Sequence, residues 1–143
     1  MSGQIAGHFT APPYQFQEQD KGARPIVRSF GLFGRHSLIS IWVFKPFHDT
    51  NPQATEALYS NFQRATKIIQ DAPGRVAEIL AEVSQIDSAV EERFLIEENV
   101  YYTTTPRGFI SFGEFMQSAG LIEQVPGAWK DLVYPNLKSV DGS

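Results

Sequence analysis

Leu38-Ile39-Ser40-Ile41-Trp42-Val43-Phe44 is the stretch on which the fold turns, since six of its seven residues are apolar and most are β-branched or aromatic. Such side chains pack well on a pleated surface, and an almost unbroken apolar run of this length predicts a strand covered on both faces. Lys45-Pro46 ends it, because proline cannot supply a ladder N–H. Two weaker strand candidates precede it. Ile5 to Thr10 is short and mixed and breaks at Pro12-Pro13, and Pro25 to Phe30 leads into a loop marked by Gly31, Gly34 and His36. Between them, Pro13 suits the first turn of a short helix over Tyr14 to Gln19, closed by Asp20-Lys21-Gly22.

Downstream the period changes. Asp49, Thr50 or Asn51 can cap a helix whose first turn holds Pro52. Leu58, Phe62, Ala65 and Ile69 then form one stripe on a long helix to about Asp71. Pro73-Gly74 breaks it, and Val76, Ile79, Leu80 and Val83 mark a second helix. Asp87-Ser88 opens a third helix carrying Val90, Phe94 and Leu95. Val100 to Thr105 reads as extended, with Thr105 pushed out of the helical region by Pro106. Phe109, Phe112, Phe115, Met116 and Ala119 make a fourth stripe that stops at Gly120, and Trp129 and Tyr134 anchor an irregular tail. Strands gather early and helices late, and three strands make a thin sheet for so many amphipathic helices.

Composition narrows the functional classes. With 42% hydrophobic and 20% charged residues over 143 positions, the chain is expected to be one soluble globular domain. A net charge of -4 without a basic run argues against nucleic acid or an anionic membrane as partner. No cysteine is present, which excludes disulfides, thiolate catalysis and Cys-ligated zinc. The first residues show no basic flank leading into an apolar core, so no signal peptide is expected there.

Four segments resemble a known family. Ser2-Gly-Gln-Ile-Ala-Gly-His-Phe-Thr-Ala-Pro-Pro-Tyr14 is similar to a recurring segment that departs from this one at Ala6, where the family usually has Asp. Lys45-Pro-Phe-His-Asp-Thr-Asn-Pro52 and Tyr102-Thr-Thr-Thr-Pro106 follow in order. The tail matches through Phe115-Met-Gln-Ser-Ala-Gly-Leu-Ile, Trp129-Lys-Asp-Leu-Val-Tyr-Pro-Asn136 and Asp141-Gly-Ser143. Together they look like the substrate-binding proteins of nitrate, sulfonate and taurine-type ABC importers, specifically their C-terminal half. The resemblance implies an α/β fold, the C-terminal part of a type II periplasmic-binding-protein fold, with few strands followed by several helices. It implies residues 1–36 as the end of lobe two, 37–48 as a crossover strand and 49–143 as the C-terminal helical part of lobe one. The missing first part makes the chain a fragment on this reading. The intact family protein is periplasmic or membrane-attached on the extracytoplasmic side, closes two lobes on a small organic anion, and presents that closed form to an ABC permease.

The segment matching His8 to Tyr14 then faces the cleft. His8 donates to an oxyanion and Thr10 hydrogen-bonds it, while Phe9, Pro12 and Tyr14 wall off water; Trp42 stacks on the solute body. The competing reading makes His8 and Phe9 ordinary strand residues and Trp42 core packing. Metal binding finds little support, since the three histidines lack ligand spacing and His48-Asp49 is better explained by capping. No catalytic set emerges either. Glu91-Glu92 and Glu97-Glu98 are neighbours that diverge on a helix, Ser37 and Ser40 lack a nucleophile elbow, and Gly31-Leu-Phe-Gly34 lacks the phosphate-loop lysine. The chain is therefore expected to be no enzyme and to need no cofactor. Two alternatives stand beside transport: an interaction module that forms a homodimer through an exposed sheet edge, and a thiamin-pyrimidine-precursor-type enzyme of the same fold.

Overall fold

A computed structural model describes residues 4–12, 14–96, 100–138 and 140–143. The expectations placed on Pro13 and on Glu97-Glu98 lie outside the described residues. Seven α-helices occur among them: α1 Tyr14–Asp20, α2 Ser29–Phe33, α3 Lys45–Thr50, α4 Pro52–Asp71, α5 Pro73–Ser84, α6 Ser88–Leu95 and α7 Phe109–Ser118. Two 3-10 turns, Trp129–Leu132 and Pro135–Leu137, shape the tail. The chain divides into two compact units, one of residues 1–28 and 68–101, the other of 29–67 and 102–143.

The first unit is organised by the hairpin of α5 and α6. Pro73 starts α5 in its first turn, where its missing N–H costs nothing. Gln85 ends it in the left-handed region, returning its N–H to the Ala81 carbonyl at 3.0 Å. Two residues later the Asp87 carboxylate accepts from the Ala89 N–H at 2.9 Å and starts α6. Ala77 and Leu95 are buried, and Phe16 of α1 is 1% exposed. The Arg93 guanidinium lies over the Phe16 ring, 4.5 Å from its centre, and pairs with Asp20 at 3.3 Å. Glu91 is also buried, at 5% exposure, and accepts a 2.6 Å bond from the Ser84 hydroxyl. A carboxylate so enclosed is tolerable because that hydroxyl replaces part of its lost hydration.

The second unit is tied by long-range bonds rather than by a closed core. Ser37 and Arg107 exchange two, Ser37 N–H to the Arg107 carbonyl at 2.9 Å and Arg107 N–H to Ser37 Oγ at 3.0 Å. Phe33 of α2 packs on Phe112 and Phe115 of α7, with ring centres 4.7 and 5.7 Å apart. Gly108 precedes α7 at φ 73°, and a Cβ there would stand 2.8 Å from His36 Cβ, so this position demands glycine. Ser143 folds back on the start of α7, accepting from Phe109 N–H and, through Oγ, from Gly108 N–H, both at 3.1 Å. The anchoring expected of Tyr134 is present: its hydroxyl donates to the Val43 carbonyl at 2.9 Å, and its ring stacks on His48 at 3.8 Å and 6°.

The α/β expectation is corrected: the described residues hold no strand and no sheet. Neither Ile5–Thr10, Pro25–Phe30 nor Leu38–Phe44 enters a ladder, and Ser29 and Phe30 instead begin α2. The physical reason is that a strand exists only through a partner. Residues 38–43 have, among the described residues, no main-chain group that meets another main chain. The expected crossover over 37–48 is likewise no strand, and its last residues, from Lys45, are helical. The described residues therefore offer no sheet edge of the kind expected for a homodimer. Asp49 also plays a different part from the expected cap. It lies inside α3 and pairs with Lys45 one turn away.

Candidate functional site

Residues 8–12 form a short, largely exposed segment ahead of α1. Its turn is closed by a 3.1 Å bond from the Tyr14 N–H to the Ala11 carbonyl, and α1 follows immediately. That helix places Glu18 one turn in, where its carboxylate meets His8 Nδ1 at 2.8 Å. The pairing fixes the imidazole and leaves Nε2 as the nitrogen that can face a ligand. Thr10 and Pro12 are half-buried, Tyr14 is exposed, and Phe9 stands 98% exposed. An apolar ring left wholly in water invites cover. Around His8 the chemistry is mixed, because the imidazole can donate to an anion while the Glu18 carboxylate repels it.

Trp42 belongs to the second unit, and its indole is 80% exposed. Five of the six residues expected to bind solute, His8, Phe9, Thr10, Pro12 and Tyr14, thus share one unit and one stretch of chain.

Sequence reasoning did not anticipate Glu18 as the partner of His8. The signal was the short helix after the prolines, which turns a carboxylate back toward the preceding segment. It also did not anticipate an apolar hollow of about 280 Å³ in the second unit. Phe109, Phe112, Gly113 and Met116 of α7 line it together with Ser37, Ile122, Pro126 and Leu132. Phe112 and Phe115 of the α7 stripe pack on Phe33 of α2, yet Phe115 is 50% exposed, Gly113 is the buried residue of the helix, and part of the stripe borders this opening. One hydroxyl, from Ser37, is the polar feature of the lining, and it already accepts from Arg107.

The second charged grouping sits on α3. Lys45 and Asp49 form an ion pair, and His48 Nδ1 lies 3.1 Å from the Asp49 carboxylate. The Lys45 bond, joined by that of His48, holds the Asp49 carboxyl below its ordinary 3.8, and the same bond raises Lys45 above 10.5. Both groups are solvated, so the pairing orients α3 without much energy. His36 bonds the Gly34 carbonyl at 2.8 Å and packs edge-on to Phe33. Among the described residues no three His, Cys, Asp or Glu side chains gather as metal ligands, and no helix is long and apolar enough to cross a membrane. No family model, no curated protein and no solved structure matches the chain.

Proposed function

We propose that the chain is a solute-binding component of an ABC importer for small organic anions of the nitrate, sulfonate and taurine kind, acting without covalent chemistry. The observation that carries the reading is the segment from His8 to Tyr14. There an oriented imidazole, a hydroxyl and exposed aromatic rings occur together, in a sequence that resembles the cleft segment of that family. An anion needs only a few aimed donors where water is scarce. Thr10 Oγ1 offers one, and His8 Nε2 offers a second in the doubly protonated ring, because Nδ1–H is already given to Glu18; Phe9 and Tyr14 supply the apolar surface that covers the organic body. On this segment a solute meets a single wall. The mechanism therefore requires a second wall to close over it, as binding proteins do about a hinge, and the closed form is what a permease recognises.

Weak binding follows from having one wall, and nuclear magnetic resonance detects weak binding. Titration with an aliphatic sulfonate is expected to shift the amide signals of residues 8–14, saturating in the millimolar range, and His8→Ala is expected to abolish those shifts. Shifts spread evenly over the chain, or unchanged in His8→Ala, contradict the assignment.

A further inference from the structure

The bond between His8 and Glu18 fixes where the imidazole carries its hydrogen. An ionised carboxylate can only accept, so the 2.8 Å contact places a hydrogen on His8 Nδ1. A neutral imidazole has a single N–H, and here Glu18 takes it. Nε2 is then left with a lone pair, and it meets an incoming anion as one more acceptor. A proton added at Nε2 reverses this: the same atom becomes a donor and the ring becomes a cation. The His8 side chain is 54% exposed against 32% for Glu18, so the ring stays open to solvent while its Nδ1 is engaged.

We propose that His8 couples anion binding at residues 8–14 to the uptake of one proton, so that the segment holds an anion in mild acid and releases it as the ring loses its charge. The inference rests on the reading of that segment as the anion site. The proton comes from solvent and adds to the Nε2 lone pair. The new N–H donates to an oxygen of the anion while Glu18 keeps the Nδ1–H, and no bond of the solute breaks. Thr10 Oγ1 can donate in either state, but with the neutral ring it stands beside a carboxylate that repels the solute. The charged surroundings leave this role to His8. Residues 4–12 hold no other titratable side chain, and among the described residues Glu18 is the charged group in ion-pair contact with His8. On α1, Tyr14 is an exposed phenol and Asp20 pairs with Arg93 of α6, whose guanidinium also covers Phe16; Lys21 and Arg24 continue the chain after it. On α6, Glu91 accepts from Ser84 and Glu92 lies beside Gly74, while on α5 Arg75 pairs with Glu78.

Methanesulfonate is the probe for the test, because a sulfonate keeps its charge across about pH 5 to 8, the window in which imidazoles change theirs. Nuclear magnetic resonance on the full chain follows the amides of residues 8–14 and the His8 Cε1 proton together. Affinity is expected to fall about tenfold per pH unit once the ring is neutral. By the same linkage, sulfonate at about ten times its Kd is expected to raise the midpoint of the ring's titration by about one pH unit. Glu18→Gln is the discriminating variant. A carboxamide can donate to Nδ1 as well as accept from it, which lets the neutral ring carry its hydrogen on Nε2. Most of the pH dependence is expected to vanish there. Affinity that stays level or rises with pH, a ring midpoint that sulfonate leaves in place, or a Glu18→Gln chain that keeps the full dependence overturns the proposal. Level affinity, with the shifts still lost in His8→Ala, would overturn the proton coupling and leave the anion site standing; residues 8–14 silent at every pH would overturn both.

Discussion

The α5–α6 hairpin and the segment 38–44 both carry apolar residues, the segment in the greater proportion, and they meet opposite fates. In the hairpin, Ala77 and Leu95 are buried and even a carboxylate, Glu91, is enclosed with a hydroxyl partner. In the segment, Trp42 and Phe44 stand in water, and among the described residues its main chain is engaged through two carbonyls, Val43 by the Tyr134 hydroxyl and Phe44 by the His48 N–H. Hydrophobicity alone does not decide the outcome, since the more apolar of the two is the one left exposed. What does is that a helix satisfies its own main chain and needs only a neighbour for one face, whereas a strand needs another strand before it gains anything. A helical hairpin is complete with one short turn, here from Gln85 to Asp87. An extended run waits for a partner remote in sequence or in another molecule.

This contrast can be broken or sharpened by substitution, and Phe16 offers the largest effect. Phe16→Ala removes the most deeply buried ring and is expected to cost about 3–5 kcal/mol, read as early loss of helical circular dichroism in urea. Phe44→Ala should shift the same curve by less than about 0.5 kcal/mol. Equal effects would mean that the two regions are packed alike. Next comes Ser84→Ala, which leaves the Glu91 carboxylate buried without its hydroxyl and is expected to cost about 1–3 kcal/mol; Glu91→Gln in that background should recover part of the loss. Tyr134→Phe keeps the ring stack on His48 and deletes the bond to the Val43 carbonyl, an expected loss of about 1 kcal/mol. Its clearest sign is faster amide exchange around Val43 with α5 and α6 unchanged.

The smallest effect is electrostatic. Because the folded carboxyl of Asp49 titrates below its ordinary 3.8, the stability it contributes is present above that value and lost as pH falls through the folded midpoint. The side chain is solvated, so stability should barely move in this window, while the Asp49 carbonyl carbon resonance titrates with a midpoint below 3.8. Lys45→Ala moves that midpoint back toward the ordinary value, with the His48 bond still holding it lower. A wild-type midpoint at or above 3.8 denies the ion pair.

How far the sequence could be read follows the same division. Helix ends were legible where their causes are local: the break at Pro73 that ends α4, the Asp87 cap on α6, Gly120 at φ 71° after α7; Pro73 and Gly74, read only as a break, are also the first residues of α5. The four apolar stripes likewise announced α4 to α7. The strands were misread because β-branched and aromatic runs report an affinity for a pleated surface, and the surface itself is not written in the run. The candidate site was legible in its types, a histidine, a hydroxyl and aromatic rings near one another in the chain. Its geometry was not, since Glu18 reaches His8 across ten residues and Ser37 reaches Arg107 across seventy. Contacts of that span depend on packing that no local spacing encodes.

Amide hydrogen exchange in dilute solution tests the central contrast most directly. There α5 and α6 should be protected, while residues 38–43 exchange as freely as an unfolded chain. Slow exchange along 38–43 in the dilute sample would contradict the account, because the segment would then already have its partner within one chain.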